Sequence, residues 1–264
     1  MNTFMGLVLA GGLLLASTSL AAAPAPEIAR ALAPNGTLRA AINFGNSVLA
    51  QRDPAGGEPR GVSAELAREL GRRLGVPVTF VPFEEAGLVA AAAVRDVWDV
   101  AFLAIDPVRG ATIDYTAPYV LIEGTYVVPA NSPLASLEAI DASGMRITVA
   151  KASAYDLFLT RALKHAELVR FPGGQEAEAA FLAGGYDAIG GVKQPMVALV
   201  QAHPELRHVP GRFMSIRQAM AAPKGREAAA SYLKAFVEDA KASGFVRKAL
   251  DASGQNDAEV APLE

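Results

Sequence analysis

The stretch that most limits how this chain can fold is Val97–Ile105 (VWDVAFLAI), followed at once by Asp106-Pro107 and then by Arg109-Gly110-Ala111. The run is too apolar to be a half-exposed strand. A strand covered on both faces is the pattern of parallel sheets in α/β domains, where helices pack on either side. Loops at the carboxyl ends of such strands are where open α/β sheets hold ligands, and Arg109 falls in that position. A guanidinium makes two parallel hydrogen bonds to a carboxylate or phosphate. From these residues alone, an anion grip and a solvated loop arginine both remain open.

The chain around this stretch repeats one plan. Thr37–Phe44 predicts a strand, Val62–Leu74 an amphipathic helix, Val76–Phe83 a strand and Glu84–Arg95 an Ala-rich helix. The helix assignment at 62–74 rests on Val62, Leu66, Leu70 and Leu74 on one side, with Arg68, Glu69, Arg72 and Arg73 largely opposite. Such β-α-β-α-β order predicts a parallel sheet with helices on its faces. A second short strand closes at Pro118-Tyr119, and Val120–Pro129 predicts another, longer one. A second unit follows, with strands at Met145–Ala150, Glu167–Phe171 and Asp187–Val192 and helices at Ser153–Lys164 and Glu176–Ala183. Phe213–Pro223 predicts a returning strand and Arg226–Ala242 a last long helix, with a further turn or two at Phe245–Leu250 and a loose polar tail.

Composition removes several function classes. The 264 residues carry a net charge of −3 with both signs interspersed, so no basic track for nucleic acid exists. With no cysteine there is no disulfide, thiolate metal site, cysteine nucleophile or lipid-anchoring cysteine. The three histidines are scattered and suit neither a metal site nor a triad, and no Gly-rich phosphate loop occurs, so no cofactor is expected. Phe4–Ala16 is an apolar run too short to span a bilayer comfortably, and Ser19-Leu20-Ala21 fits a small-x-small cleavage site. The expectation is a signal peptide over residues 1–21 and an exported, periplasmic protein, although Met1-Asn2-Thr3 lacks the usual basic residue.

An ordered set of short motifs carries a resemblance. Gly36-Thr37-Leu38-Arg39 precedes the first strand, and Gly61-Val62-x-x-Glu65-Leu66-Ala67 opens the first long helix, which Leu74-Gly75-Val76 ends. Asp106-Pro107-x-Arg109 is followed by Ile113-Asp114-Tyr115-Thr116-x-Pro118-Tyr119, and later come Tyr186-Asp187-Ala188 and Pro223-Lys224-Gly225. Over Gly36–Gly254 the chain resembles the family 3 extracellular solute-binding proteins, receptor components of polar amino-acid ABC importers. The resemblance implies a two-lobed α/β fold of the periplasmic-binding-protein type with two hinge-crossing strands, near Thr125–Val128 and Gln218–Ala222. Lobe 1 would comprise residues 22–126 and 219–264, and lobe 2 residues 127–218. It further implies a monomer that closes on a small carboxylate ligand and docks on an inner-membrane permease.

The same resemblance places Arg109 on the ligand's carboxylate and a second contact at Lys151–Asp156, where Ser153 and Tyr155 start a helix. Ser153 with Asp156 equally fits a capping box. Phe44 and Asn46 occupy the loop after the first strand, where an aromatic and a Pro-Pro pair are usual. Phe83, Phe102 and Ala104 complete the expected cleft wall. The family's ammonium-binding Asp is replaced by Val192, followed by Lys193. That substitution favours an organic acid or an unusual amino-acid derivative, with Lys193 near a second acceptor. Glu123 interrupts one crossing strand and Arg217-Gln218 the other; they are expected either to pair with each other or to leave Glu123 facing the cleft. Two further classes share this fold, a cyclohexadienyl dehydratase-like enzyme and a ligand-binding sensor. For the first, Glu84, Glu85, Glu123 and Asp106 are the available acids, none with a recognisable acid–base partner.

Overall fold

The structure, a computed structural model, describes residues 25–264, so the expected leader at residues 1–21 lies outside the described residues. In chain order the first lobe begins with α1 (Pro26–Leu32), β1 (Leu38–Asn43), α2 (Val62–Leu74), β2 (Val78–Phe83), α3 (Ala86–Ala91) and β3 (Val100–Ala104). A 3-10 turn at Arg109–Ala111 leads into β4 (Ile113–Pro129). The second lobe holds α4 (Leu137–Ile140), β5 (Arg146–Ala150), α5 (Ala154–Ala162), β6 (Glu167–Phe171), α6 (Gly174–Leu182), β7 (Ala188–Val192), α7 (Lys193–Ala202) and β8 (Leu206–His208). The chain returns through β9 (Met214–Pro223) to α8 (Glu227–Ala242), α9 (Phe245–Ala252) and β10 (Glu259–Val260).

The strands run in the order β2-β1-β3-β9-β4-β7-β5-β6, with β8 and β10 also bonded to β4. Pairing is parallel for β2-β1-β3 and for β6-β5-β7, as the doubly covered apolar runs require. The lobes join where β4 changes partners. It pairs with β9 from Ile113 to Gly124 and with β7 from Gly124 to Val127. Thr125–Val127 therefore already belongs with the second lobe's β7, and Gln218–Ala221 with the first lobe's β3. The exchange itself falls at Gly124 and its partner Met214.

Both chain ends build the first lobe. Leu66 and Leu70 of α2 share one buried cluster with Ile42, Val100, Tyr119, Leu233, Phe236 and Val246. The second lobe packs Tyr126, Ile140, Ile147, Val149 and Leu159.

Four features differ from the sequence expectations. The two strands expected before and after Tyr119 are one strand, β4. Pro118 survives inside it because the register shifts on either side of it, a bulge where the missing N–H leaves no gap. There the Met220 N–H bonds the Thr116 hydroxyl instead, at 3.1 Å. Helix α3 stops at Ala91, well short of Arg95. The chain reverses through Asp96 (φ 51°), and the Trp98 indole N–H bonds the Val89 carbonyl at 3.1 Å, which brings Asp99 beside Arg39. Helix α7 and strand β8 occupy a segment with no expected element; Pro195 sits within the first turn of α7, where a missing N–H is tolerated. The tail is docked: Glu259-Val260 pairs with Leu121-Val120, and Lys241 Nζ bonds the Pro262 carbonyl at 2.7 Å.

Candidate functional site

Strand β3 delivers Arg109. Its end leads into a turn held by Asp106, whose Oδ1 accepts from the Val108 N–H at 2.8 Å. That turn points Arg109 back under the strand, where only 5% of it is exposed. Nη1 donates to the Ala104 carbonyl at 3.3 Å and Nη2 to the Ala152 carbonyl at 2.8 Å, while Nε has no partner. Burial pushes its pKa down, and the Asp106 carboxylate pushes back.

Ala152 belongs to the other lobe, so the Nη2 bond bridges the cleft. A second bridge is the ion pair from Arg161 of α5 to Asp106, at 2.8 Å. Both contacts mark this conformation as closed. Ala152 has φ 57°, a conformation that disfavours residues with a Cβ. Asp156 holds it there by accepting the Ala152 N–H at 2.7 Å. The Ser153 hydroxyl accepts from the Asp156 N–H at 3.0 Å, so the capping role of Ser153 is present.

Two adjoining cavities lie between the lobes. The smaller, about 40 Å³, is bordered by Asn46, Glu85, Phe102, Ala104, Arg109, Ser153, Tyr155, Val192 and Gln218, among others. The larger, about 590 Å³, is bordered by Phe44, Arg52, Glu84, Glu85, Tyr155, Glu176, Glu178, Val192 and Met196, among others. Phe44, Asn46, Phe102, Ala104, Arg109, Ser153 and Tyr155 are thus brought together. Phe44 carries the Arg52 guanidinium over its ring at 4.1 Å. Asn46 turns its Oδ1 to the Val48 N–H at 3.3 Å. Burial pushes the Tyr155 hydroxyl up to about 12.

Three expected residues are elsewhere. Phe83 packs against a small first-lobe cluster with Trp98 and Leu103 and borders neither cavity. Lys193 bonds Glu123 at 2.6 Å, and Arg212 bonds the same carboxylate at 3.0 Å. This group lines a separate hollow with His208, so neither Lys193 nor Glu123 borders the cleft cavities. Glu123 does not pair with Arg217 because the register sets Ser215 opposite it; Arg217 instead reaches Glu264 at 2.9 Å.

Gln218 and Glu176 border the cleft without being expected there, and Glu85, expected only as a possible acid, borders both cavities. Of these, Gln218 has a local signal, a lone amide in an apolar strand, and it faces the smaller cavity and not a partner across the hinge. Glu85 sits between the lobes. A Cβ at Gly45 of the first lobe would lie 2.8 Å from its Oε2, and one at Gly173 of the second would collide with its Oε1. Burial pushes the Glu85 carboxyl up to about 7, opposed by the Gly174 N–H and reinforced by Glu176 and Glu84.

That shift has a sign for stability. Glu85 binds its proton more tightly in the folded state, so stability falls as pH rises from about 4.5 to about 7. Glu85→Gln removes the penalty. It is expected to be more stable than the parent above pH 7, by on the order of 1 kcal/mol for a half-exposed, solvent-screened group. Below pH 4.5 the two proteins should melt alike. Thermal melts at pH 4 and pH 8 check this; equal differences at both pH values would refute it.

No curated protein sequence matches the chain. Among solved structures, the solute receptor for L-cysteine of Neisseria gonorrhoeae is similar at 21% identity and TM-score 0.74, covering 85% of this chain and 92% of its own. The amino-acid ABC transporter substrate-binding protein AbpA of Streptococcus pneumoniae, solved with L-arginine, is similar at 19% identity and TM-score 0.73, covering 87% and 99%. An ancestral amino-acid-binding protein, AncCDT-1, described as a precursor of cyclohexadienyl dehydratase, is similar at 21% identity and TM-score 0.71, covering 85% and 97%. The family model for bacterial extracellular solute-binding proteins, family 3, matches residues 48–252. With two lobes on a pair of shared strands, a closed cleft and a match over most of its length, this chain belongs to the family 3 bacterial extracellular solute-binding proteins.

Proposed function

We propose that this protein is the exported, periplasmic binding component of an ABC importer, a monomer that closes its lobes on a small carboxylate-bearing solute. The role is capture and hand-over to an inner-membrane permease, not catalysis. The lobe boundaries are taken at Gly124 and Met214, where β4 and β9 meet at the exchange of partners, a few residues ahead of the expected divisions at 126/127 and 218/219. The observation that carries the reading is Arg109. It is almost fully buried, it leaves Nε unpaired, and it borders the same small cavity as Ser153 and Ala154 at the start of α5. Free N–H groups at a helix start favour an anion, so a carboxylate there would be held from both lobes. Hinge closure then follows from the ligand's greater affinity for the closed form. The similar proteins, a solute receptor for L-cysteine and a substrate-binding protein bound to L-arginine, support an amino-acid-like solute.

A thermal-shift screen of amino acids, their decarboxylated amines and simple organic acids tests the proposal. A ligand at about a hundred times its Kd adds roughly 2.7 kcal/mol and raises Tm by several degrees. Carboxylates should do so and the matched amines should not. Stabilisation by the amines alone would refute the carboxylate reading.

A further inference from the structure

We infer that Arg161, on the second lobe, is a closure-setting residue: its ion pair with Asp106 of the first lobe biases the hinge towards the closed form. Arg161 acts through the hinge and does not touch the ligand. The inference rests on the two-lobed fold and holds whatever the chemistry of the solute.

Asp106 makes two different contacts with one carboxylate. Its Oδ1 accepts the Val108 N–H at 2.8 Å, a side-chain turn of the kind Asp forms two residues on, and this turn aims Arg109. Its Oδ2 accepts from Arg161 Nη2 at 2.8 Å. The first bond lies within lobe 1 and the second crosses to α5. The turn that presents Arg109 is therefore the turn that α5 engages on closing. Helix α5 meets lobe 1 near both of its ends. At its start the Ala152 carbonyl accepts from Arg109, and Ala154 packs against the first-lobe core. In its last turn Arg161 meets Asp106. Ala154 and Arg161 lie about two turns apart on one side of the helix, so the ion pair braces the end that the core contact leaves free.

Many rim ion pairs are solvated surface and contribute little. The burial of Asp106 sets this one apart. Asp106 is 4% exposed, and a carboxylate so enclosed is costly unless it is paired. Among the described residues, no other donor reaches its Oδ2, and Arg109 spends its Nη groups on the carbonyls of Ala104 and Ala152. Arg161 likewise has no other acceptor among the described residues, since the acid of its own helix, Asp156, is taken by Arg170 at 2.8 Å. Opening the lobes parts Arg161 from Asp106. The pair thus exists in one hinge state only, which is what a bias on that equilibrium requires. Arg161 borders none of the described cavities between the lobes. Any solute gripped from both lobes needs the closed form, so the shift in closure weakens or strengthens each by the same factor.

Pulsed electron spin resonance on the purified full protein reads the hinge directly and needs no ligand. The chain has no cysteine, so Val94→Cys and Ala183→Cys place one spin label at an exposed position of each lobe. The labelled parent is expected to show two interlobe distances, with the closed one well populated. Arg161→Gln should lower the closed-to-open ratio by roughly fivefold to thirtyfold, between the effects of exposed and of buried charge pairs. Arg161→Lys keeps the charge and should recover part of the loss. Asp106→Asn retains an oxygen for the Val108 N–H, and adding it to Arg161→Gln should cost little more, because the two members of one pair are not additive. Raising the salt from about 20 mM to about 500 mM should lower the ratio in the parent and leave it unchanged in Arg161→Gln. An unchanged ratio in Arg161→Gln, a parent found only in the open form, or the same salt response in both proteins would overturn the inference.

Discussion

Arg109→Gln is expected to weaken binding of a carboxylate-bearing solute by about a hundredfold, measured by titration calorimetry. A hydrogen bond to a charged group contributes about 1.5–3 kcal/mol, and truncating one partner of a buried charge pair costs about 2–5 kcal/mol. A hundredfold corresponds to about 2.7 kcal/mol, within both ranges. The loss has two parts. Glutamine offers an amide but neither the charge nor the fork, and it cannot keep the 2.8 Å bond to the Ala152 carbonyl that ties the lobes together. Arg109→Lys separates them, since it keeps the charge while losing the two-pronged geometry. It should recover part of the affinity. An Arg109→Gln affinity within twofold of the parent would mean that no carboxylate rests on this residue.

Asp99→Asn is expected to destabilise the fold by about 3 kcal/mol, read as a lower urea midpoint at unchanged m-value. Asp99 is fully buried and accepts from Arg39 Nε at 2.9 Å, Arg39 Nη2 at 2.8 Å and Arg226 Nη1 at 3.0 Å. Asp96, which is exposed, shares the same two arginines. Removing the buried charge leaves two guanidinium groups facing one exposed carboxylate. Breaking a buried pair from one side typically costs about 3–5 kcal/mol; the partial exposure of both arginines places the value at the low end. The consequence reaches the site. Asp99 immediately precedes β3, whose end positions Arg109, and Arg226 anchors the start of α8. A change below about 1 kcal/mol would show that the network is only decorative.

Most of the framework was legible in the chain. Val62–Leu74 was read with its observed bounds because its apolar side has helical spacing and Gly75 ends it. The parallel strands showed as doubly apolar runs. Ends and interruptions were harder. Pro118 looked like the end of a strand, but the Thr116 hydroxyl meets the Met220 N–H, and that depends on a strand about a hundred residues away in sequence. The tail looked loose because Glu259-Val260 has no local reason to be a strand. Its partner, Leu121-Val120 of β4, is supplied by the folded lobe.

The candidate site divides in the same way. Arg109 and Ser153, which border the smaller cavity, carry local signals, a cation after an apolar strand and a capped helix start; Phe44 and Tyr155 are expected in the cleft only through the family resemblance. Local reading misplaced Lys193, because which face a residue presents at the start of α7 depends on how β7 pairs with β4. It also could not place Glu85 between Gly45 and Gly173, residues of two different lobes. Periodicity, glycine positions and the polar or apolar character of each run are properties of neighbours along the chain, and they determined the elements, their order and the Arg109 loop. Which charges meet across the cleft depends on the register at Gly124 and on lobe closure, contacts between residues far apart in sequence. Only the tertiary structure decided that Glu123 satisfies Lys193 outside the cleft while Glu85 and Glu176 face each other within it.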